Sequence, residues 1–256
     1  MKVVILAGGY GSRIAEESVF KPKPMIEIGD KPILWHIMKY YSSFGLKDFI
    51  ILAGYKQYVI KEYFADYFLH NSDITFDLSD NSMTVHSNKS EDWRVTVLDT
   101  GIDTMTGGRL RRAQEYIGND SFMLTYGDGL CDVDLDALLS FHMEKRRIVT
   151  ITMVNLGQQK GVLDVDEEGV ISSFREKDDK DSALINGGFM VCNKQIFDYL
   201  SDDTTVLEDE PMRRLVKDGE LAGYRHFGFW QCMDTQRERE RLEELWKNGR
   251  APWKKW

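Results

Sequence analysis

Apolar runs alternate with amphipathic stretches along the first third of this chain, and their spacing predicts an α/β fold. Residues 3–6 form a continuous apolar run that ends in a glycine-rich bend, as in a strand buried on both faces of a parallel sheet. Residues 32–44 carry apolar side chains at helical spacing, 49–53 indicate the next strand and 58–69 the next helix. This alternation predicts a doubly wound sheet that binds ligands at the carboxyl ends of its strands.

The second half of the chain is richer in predicted strands. They lie at residues 122–126, 149–154, 162–165, 170–174 and 189–192, with a helix at 135–142. A last helix is expected at 235–247, and the tail that follows it to residue 256 is rich in tryptophan. Exposed indoles are costly, so we expect this tail to dock onto the domain or onto a neighbour.

Residues 74–98 interrupt the regular alternation of strands and helices. Two short stretches of alternating polarity flank a turn that contains Asp80, Asn81 and Ser82, and a further strand is expected at 95–98. This inserted β-hairpin region is either an inert surface elaboration or a flap that meets a partner subunit, and we favour the flap.

Composition narrows the class of protein. A length of 256 residues without a Pro-, Gly- or Ser-rich divider favours one domain, residues 1–256. The net charge of -9 argues against nucleic acid or an anionic membrane as the main partner. No leader sequence or apolar stretch of about 20 residues is present, and the three cysteines form no metal-binding spacing, so we expect a cytoplasmic protein with reduced thiols.

The first 25 residues carry the strongest chemical signal. Gly8, Gly9 and Gly11 would let phosphate oxygens approach backbone N–H groups, while Arg13 offers a planar fork of donors and Lys23 a point charge. The bend is neither a dinucleotide fingerprint nor a Walker loop, because the third fingerprint glycine and the closing Gly-Lys-Ser/Thr are both missing. A plain βα turn with a solvent-facing arginine is the alternative, and the prolines on either side of Lys23 weigh against it.

Two sequence blocks, Leu6-Ala-Gly-Gly-x-Gly-Ser-Arg13 and Lys21-Pro-Lys-Pro-Met25, resemble the signature of sugar-1-phosphate nucleotidyltransferases. Later blocks narrow the likeness to the cytidylyltransferases that act on glucose 1-phosphate. These blocks lie at residues 27–38, 99–109, 126–129, 185–189, 228–235 and 251–253. The resemblance covers the whole chain in the family's order.

The resemblance implies the fold and the reaction. The fold is a Rossmann-like doubly wound mixed sheet of the nucleotide-diphospho-sugar transferase type, with the hairpin insertion and a C-terminal helix. The reaction joins CTP to glucose 1-phosphate and gives CDP-glucose, a precursor of deoxysugars for O-antigen and other polysaccharides, and pyrophosphate. A homo-oligomer is also implied, with a hexamer as one candidate.

Residue roles follow from the same resemblance, position by position. The implied catalytic residues are Arg13, Lys23 and Asp128. The implied nucleotide contacts are Leu6, Ala7, Gly8, Gly9, Tyr10, Gly11, Ser12, Arg13, Lys23, Thr104, Arg109 and Gly127. The implied contacts to the sugar phosphate are Gly161, Glu176, Lys177, Asn186, Gly187 and Trp230.

Asp128 and Asp234 are the implied ligands of Mg²⁺, which prefers one or two carboxylates together with phosphate oxygens. Each has a simpler interpretation as well: Asp128 as part of an Asp-Gly turn, Asp234 as a helix N-cap. Arg109 is alternatively an ordinary surface arginine, Lys177 part of a solvated charge cluster, and Trp230 a core side chain.

One segment departs from the family's pattern. Residues 157–161 read Gly-Gln-Gln-Lys-Gly, where the family usually has an arginine and an aromatic residue before the second glycine. This departure puts some sugar-side contacts and the assembly in doubt, although Lys160 could replace the lost charge. Two other functions compete with this one: the same transfer with another base or sugar, and a regulatory subunit without catalysis. The joint presence of Arg13, Lys23, Asp128 and Asp234 disfavours the regulatory subunit.

Overall fold

A computed structural model describes residues 1–11, 20–155, 162–165, 171–175 and 184–256. The strands are β1 Lys2–Ala7, β2 Glu27–Ile28, β3 Lys31–Pro32, β4 Asp48–Ala53, β5 Ser72–Asp77, β6 Ser82–Asn88, β7 Arg94–Asp99, β8 Phe122–Tyr126, β9 Gly129–Cys131, β10 Val149–Asn155, β11 Val162–Val165, β12 Ile171–Arg175, β13 Leu184–Asn186, β14 Met190–Cys192, β15 Leu221–His226 and β16 Trp230–Cys232. The helices are α1 Ile33–Ser43, α2 Gln57–Ala65, α3 Tyr67–His70, α4 Thr106–Arg112, α5 Gln114–Ile117, α6 Leu135–Lys145, α7 Glu210–Lys217 and α8 Gln236–Lys247, with short 3₁₀ turns at Lys23–Met25 and Lys194–Tyr199.

The central sheet is mixed, which confirms the predicted fold class. Strand β1 lies between β4 and β8 and is parallel to both, and β7 extends the sheet beyond β4 in parallel. On the other side, β14 pairs antiparallel with β8 and with β10, while β10 also pairs with β13 and β15. The carboxyl ends of β1, β4, β7 and β8 therefore meet along one edge, where a doubly wound sheet binds its ligands.

Hydrophobic cores cover both faces of this sheet. In β1, Val3 and Ile5 pack into one core with α1 and the C-terminal segment, while Val4 and Leu6 pack into the other with α4, α5 and α7. Since side chains alternate across a strand, a run that is apolar at every position must be covered on both faces. This burial on both faces explains why the first strand was predictable from sequence.

Two predicted elements differ from the structure. Strands β5 and β6 form the expected hairpin, but Arg94–Asp99 is the edge strand of the central sheet rather than part of the insertion predicted at 74–98. The inserted hairpin is therefore confined to Ser72–Asn88. The helix predicted at 58–69 is interrupted at Asp66, which separates α2 from α3.

The C-terminal segment docks onto the chain's own N-terminal half. Trp253 is fully buried and packs against Phe229, and its Nε1 atom donates to Nδ1 of the buried His36 at 3.4 Å. The other ring nitrogen of His36 lies 2.8 Å from the carbonyl oxygen of Ile28. Because Nδ1 accepts a hydrogen bond, Nε2 carries the proton and donates to Ile28, so both nitrogens of a neutral imidazole are satisfied.

This buried imidazole predicts acid sensitivity. Burial lowers the pKa of His36 to about 4, below its ordinary value of 6.5. The unfolded chain therefore binds the proton first as the pH falls, and the free energy of unfolding should drop by about 3 kcal/mol between pH 6.5 and pH 4. Urea unfolding of the wild type and of His36→Phe checks this, because the variant should lack that part of the slope. Equal losses in both proteins would contradict the assignment.

Among the residues that the structure describes, no helix has the length and apolar character that crossing a bilayer requires.

Candidate active site

A cleft of about 950 Å³ opens at the carboxyl ends of β1 and β8. It brings together the glycine bend after β1, the Lys23 turn, the segment at 102–109 and the residues that follow β8. Its walls contain fourteen of the predicted site residues: Leu6, Ala7, Gly8, Gly9, Tyr10, Gly11, Lys23, Thr104, Arg109, Gly127, Asp128, Asn186, Trp230 and Asp234. The cleft thus brings together residues predicted for the nucleotide, for the sugar and for the metal ion.

Lys23 lies at the centre of this cleft. Lys23 begins a 3₁₀ turn, with Pro22 before it as the N-cap and Pro24 after it as the second residue of the turn. The backbone on both sides of Lys23 therefore has restricted φ angles. The side chain is only 11% exposed, and its Nζ atom lies 2.6 Å from Oδ2 of Asp128 and 2.5 Å from Oδ1 of Asp234. A single ammonium group therefore bridges the two carboxylates that were predicted to hold metal.

A two-stranded ribbon explains how residues so far apart in sequence meet. Strand β9 begins directly after Asp128 and pairs antiparallel with β16, which ends two residues before Asp234. The backbone N–H of Met233 also donates to the carbonyl of Asp128 at 2.9 Å. The pairing of β9 with β16 thus places both aspartates at one end of the ribbon, facing Lys23.

The start of α8 shows that Asp234 does not cap this helix. The N-cap of this helix is Thr235, which forms a reciprocal capping box with Glu238. Glu238 also accepts a hydrogen bond from the backbone N–H of Asp234 at 2.7 Å. Since Thr235 caps the helix, the Asp234 carboxylate is directed to Lys23, and the N-cap interpretation of Asp234 is wrong.

Electrostatics at this cluster favour the charged form of Lys23. Burial acts to lower the pKa of Lys23, but the charges and hydrogen bonds of Asp128 and Asp234 outweigh it, and the net pKa is raised. The described contacts thus place one ammonium group between two carboxylates. A triphosphate would add further negative charge, so the cluster calls for a divalent cation when substrate binds.

Arg109 is buried, which excludes the surface-arginine interpretation. Its guanidinium donates to the carbonyl oxygen of Gly101 at 2.6 Å, to the hydroxyl of Thr100 at 2.8 Å and to the carbonyl oxygen of Ile102 at 3.1 Å. A side chain on Gly8 would collide with this guanidinium, because a Cβ there would lie 2.2 Å from its Nη1 atom. Glycine at position 8 therefore leaves room for the Arg109 guanidinium, a packing reason that differs from the predicted phosphate contact.

Apolar side chains collect at the Arg109 end of the cleft. Tyr10, Ile102 and Met105 line it and are each about half exposed. The Tyr10 hydroxyl donates to Oδ1 of Asp103 at 3.1 Å, while Thr104 is buried beside them. Flat apolar surface with a few polar atoms is the chemistry that accepts a nucleobase.

Asn186 and Trp230 line another part of the cleft, and Gly187 lies behind Trp230 as its hydrogen-bond partner. The indole N–H of Trp230 donates to the carbonyl of Gly187 at 2.7 Å, and the Asn186 amide lies 3.3 Å from the Tyr126 hydroxyl. Trp230 also packs against the core, so it is a core side chain and a cleft wall at once.

Sequence reasoning missed Glu208, which connects the two ends of the cleft. One carboxylate oxygen accepts from the Tyr126 hydroxyl and the other from the Thr106 hydroxyl, both at 2.6 Å. Burial, followed by the charge of Glu208, raises the pKa of Tyr126 well above its ordinary range, so the phenol stays a donor. No sequence pattern distinguished Glu208 from its acidic neighbours.

Cys232 was expected to be a small buried thiol like Cys131 and Cys192, but it is partly exposed and lines the cleft. Burial and the nearby charges of Asp234 and Glu238 raise the pKa of this thiol to about 12. The thiol is therefore protonated at neutral pH and unsuited to nucleophilic attack.

Five predicted site residues lie outside the described part of the chain. They are Ser12, Arg13, Gly161, Glu176 and Lys177, and the departure at residues 158–160 lies outside it too. Their assigned roles stay predictions.

Comparisons with known proteins give a consistent picture. The family model described as nucleotidyl transferase matches residues 2–235. The chain is 53% identical to glucose-1-phosphate cytidylyltransferase of Salmonella typhi and 46% identical to a probable glucose-1-phosphate cytidylyltransferase of Bacillus subtilis, in each case over the full length of both proteins. Among solved structures, HddC from Yersinia pseudotuberculosis superposes with a TM-score of 0.70 at 23% identity, covering 96% of this chain and 99% of that one, a likeness of fold.

Proposed function

Because the chain belongs to the nucleotidyl transferase family, we propose that it transfers the cytidylyl group of CTP to α-D-glucose 1-phosphate, releasing pyrophosphate. The observation that carries the chemistry is the cluster of Lys23, Asp128 and Asp234 in a cleft at the strand ends. The choice of base and sugar rests on the two cytidylyltransferases, which match this chain over its full length. The product, CDP-glucose, would supply the synthesis of deoxysugars for surface polysaccharides.

Lys23 is the residue that the reaction needs most. An ammonium group has three N–H donors, and two of them bind Asp128 and Asp234 in the described structure. The third is available to a phosphate oxygen of CTP. Attack by the sugar phosphate on the α-phosphorus builds negative charge on the phosphoryl oxygens, and a positioned cation stabilises that charge without a covalent intermediate.

The two aspartates fit a divalent metal ion. Nucleotidyl transferases generally use such an ion, and we infer that it is Mg²⁺ here. Carboxylate oxygens are ligands that Mg²⁺ prefers, and it takes one or two of them together with substrate phosphates. When bound, the ion neutralises phosphate charge and brings the two anionic substrates together. Asp128 and Asp234 would hold it, and Lys23 keeps both carboxylates in place before the substrates arrive.

The two ends of the cleft suit the two substrates. Tyr10 and Met105 would cover the base beside Thr104, while Arg109 fixes the 100–102 loop beneath it. Asn186, Gly187 and Trp230 would face the glucose unit. Lys177 and Glu176, if they act as the family resemblance implies, add a cation for the sugar phosphate and an acceptor for the sugar hydroxyls.

A screen of nucleotides and sugars tests this proposal. Purified protein with Mg²⁺ and glucose 1-phosphate should release pyrophosphate faster from CTP than from UTP, GTP or dTTP, and faster with glucose 1-phosphate than with mannose 1-phosphate. Faster turnover of another base or sugar would overturn the substrate assignment and leave the transferase chemistry intact. No turnover with any pair would instead favour the non-catalytic subunit.

We also propose that the chain forms a homo-oligomer through the β5–β6 hairpin. The register pairs Phe76 with Met83 and Ile74 with Val85, so these side chains share one face. Phe76, Met83 and Val85 are exposed in the single chain, and Leu78 at the turn is 83% exposed. An exposed apolar face of this kind is typical of a protein contact. Light scattering that returned only the mass of one chain would contradict the proposal.

The cellular location is a separate part of the proposal. The three cysteines are unpaired, which fits a reducing compartment, and we place the enzyme in the cytoplasm.

A further inference from the structure

The two carboxylate oxygens of Asp234 have different partners, and one of them lies beside two other metal-ligating side chains, Cys232 and Glu238. The Oδ1 atom of Asp234 binds Lys23, whereas Oδ2 lies 3.4 Å from the sulfur of Cys232. The same sulfur lies 3.9 Å from Oε1 of Glu238. All three ligand atoms lie within 4.8 Å of one another. Cys232, Asp234 and Glu238 together therefore offer one sulfur and two oxygen ligands.

The spacing of these atoms matches tetrahedral zinc. Zinc binds thiolate sulfur at about 2.3 Å and carboxylate oxygen at about 2.0–2.2 Å, which separates sulfur from oxygen by about 3.6 Å across a tetrahedral edge. The observed separations of 3.4 and 3.9 Å lie on either side of that value. Both sulfur–oxygen separations therefore suit zinc, whereas the two carboxylate oxygens, which lie within 4.8 Å of each other, would close in on the bound ion.

The ligand set also distinguishes this site from the Mg²⁺ site proposed at Asp128 and Asp234. Thiolate selects zinc and similar soft cations, whereas Mg²⁺ prefers oxygen ligands in an octahedron. The capping box orients Glu238, since its Oε2 atom accepts from the backbone N–H groups of Asp234 and Thr235. Cys232 and Asp234 both line the cleft, so an ion can enter and take a water as fourth ligand.

We propose that Cys232, Asp234 and Glu238 bind a thiophilic divalent cation such as zinc, and that the bound ion inhibits the enzyme. Coordination releases the thiol proton to solvent and leaves a thiolate ligand. The bound ion attracts the Asp234 carboxylate, which then supports Lys23 and the Mg²⁺ site less well. The binding stands independently of the proposed function, whereas the inhibition rests on it.

Zinc binding is tested on the full chain by competition with a chromophoric chelator, in a buffer with a phosphine reductant and constant Mg²⁺. Cys232→Ala removes the sulfur ligand. Glu238→Gln removes a carboxylate, yet keeps the capping box, in which glutamine serves as well. Asp132→Asn is the matched control, because it removes one member of the other described group of possible ligands, which comprises Cys131, Asp132 and His226.

The wild type should bind one zinc ion, and Cys232→Ala and Glu238→Gln should each weaken binding by more than about tenfold, while Asp132→Asn leaves it unchanged. Loss in Asp132→Asn alone, or no binding by the wild type, would overturn the site. Pyrophosphate release, expressed for each protein as the ratio with and without zinc, should fall for the wild type and hold for Cys232→Ala. Zinc bound at Cys232 without that fall would refute the inhibition, whereas a wild type that is inactive without zinc would refute the proposed function.

Discussion

Replacing Lys23 with alanine is expected to lower kcat by about 10²- to 10³-fold, the size of effect seen when a positioned stabiliser of transition-state charge is lost. The reason is that Nζ of Lys23 contacts both Asp128 and Asp234 and has one donor left for a phosphate oxygen. Steady-state pyrophosphate release at saturating CTP and glucose 1-phosphate measures it.

The matched control lies two residues away in the same proline-rich segment. Lys21 pairs with Glu27 at 2.8 Å and does not line the cleft, so Lys21→Ala should change kcat by no more than about twofold. Lys23→Met keeps most of the apolar stem and removes only the charge, which guards against misfolding of the alanine variant. Near-wild-type kcat in folded Lys23→Met would contradict the role of this ammonium.

The second large effect concerns the two aspartates. Asp128→Asn and Asp234→Asn keep the shape of each side chain but remove a negative charge that retains the metal ion. Each variant should stay folded, lose on the order of 10²-fold in kcat and recover part of it at high Mg²⁺. Thermal unfolding and a Mg²⁺ titration of the rate check both parts. A variant that loses activity without any recovery at high Mg²⁺ would place that aspartate outside the metal site.

The elements that were predictable from sequence are those whose pattern reflects complete burial. The run at residues 122–126 corresponds to β8 residue for residue, and β1 and α1 lie within a residue or two of their predicted bounds. Strand β7 was misplaced because it lies at the sheet edge, where its side chains are only partly buried. A half-buried alternating strand has the same signature in a hairpin as at an edge.

The interruption at Asp66 shows a second limit. Apolar residues continue at helical spacing on both sides of it, so periodicity alone predicts one helix where the structure has α2 and α3. One residue that departs from helical geometry does not change the spacing of the apolar positions around it.

In the candidate site, too, only part of the arrangement could be predicted from local sequence. The glycine bend and Lys23 are close in sequence, and their chemistry suggested phosphate binding directly. The meeting of Asp128 with Asp234 depends on the pairing of β9 with β16, which no local spacing encodes, so it was inferred from the family resemblance. Glu208 and the cluster of Cys232, Asp234 and Glu238 could be recognised only from the contacts in the structure.

Asp128 and Asp234 are proposed to act as one unit, through a single divalent ion that both would hold. The double variant Asp128→Asn with Asp234→Asn, measured beside both single variants under identical Mg²⁺, tests it most directly. Two ligands of one ion should give a double variant little slower than the poorer single variant, because the first loss already removes most of the ion's contribution. Losses in kcat that multiply in the folded double variant would show that the two aspartates act independently and would contradict the shared site.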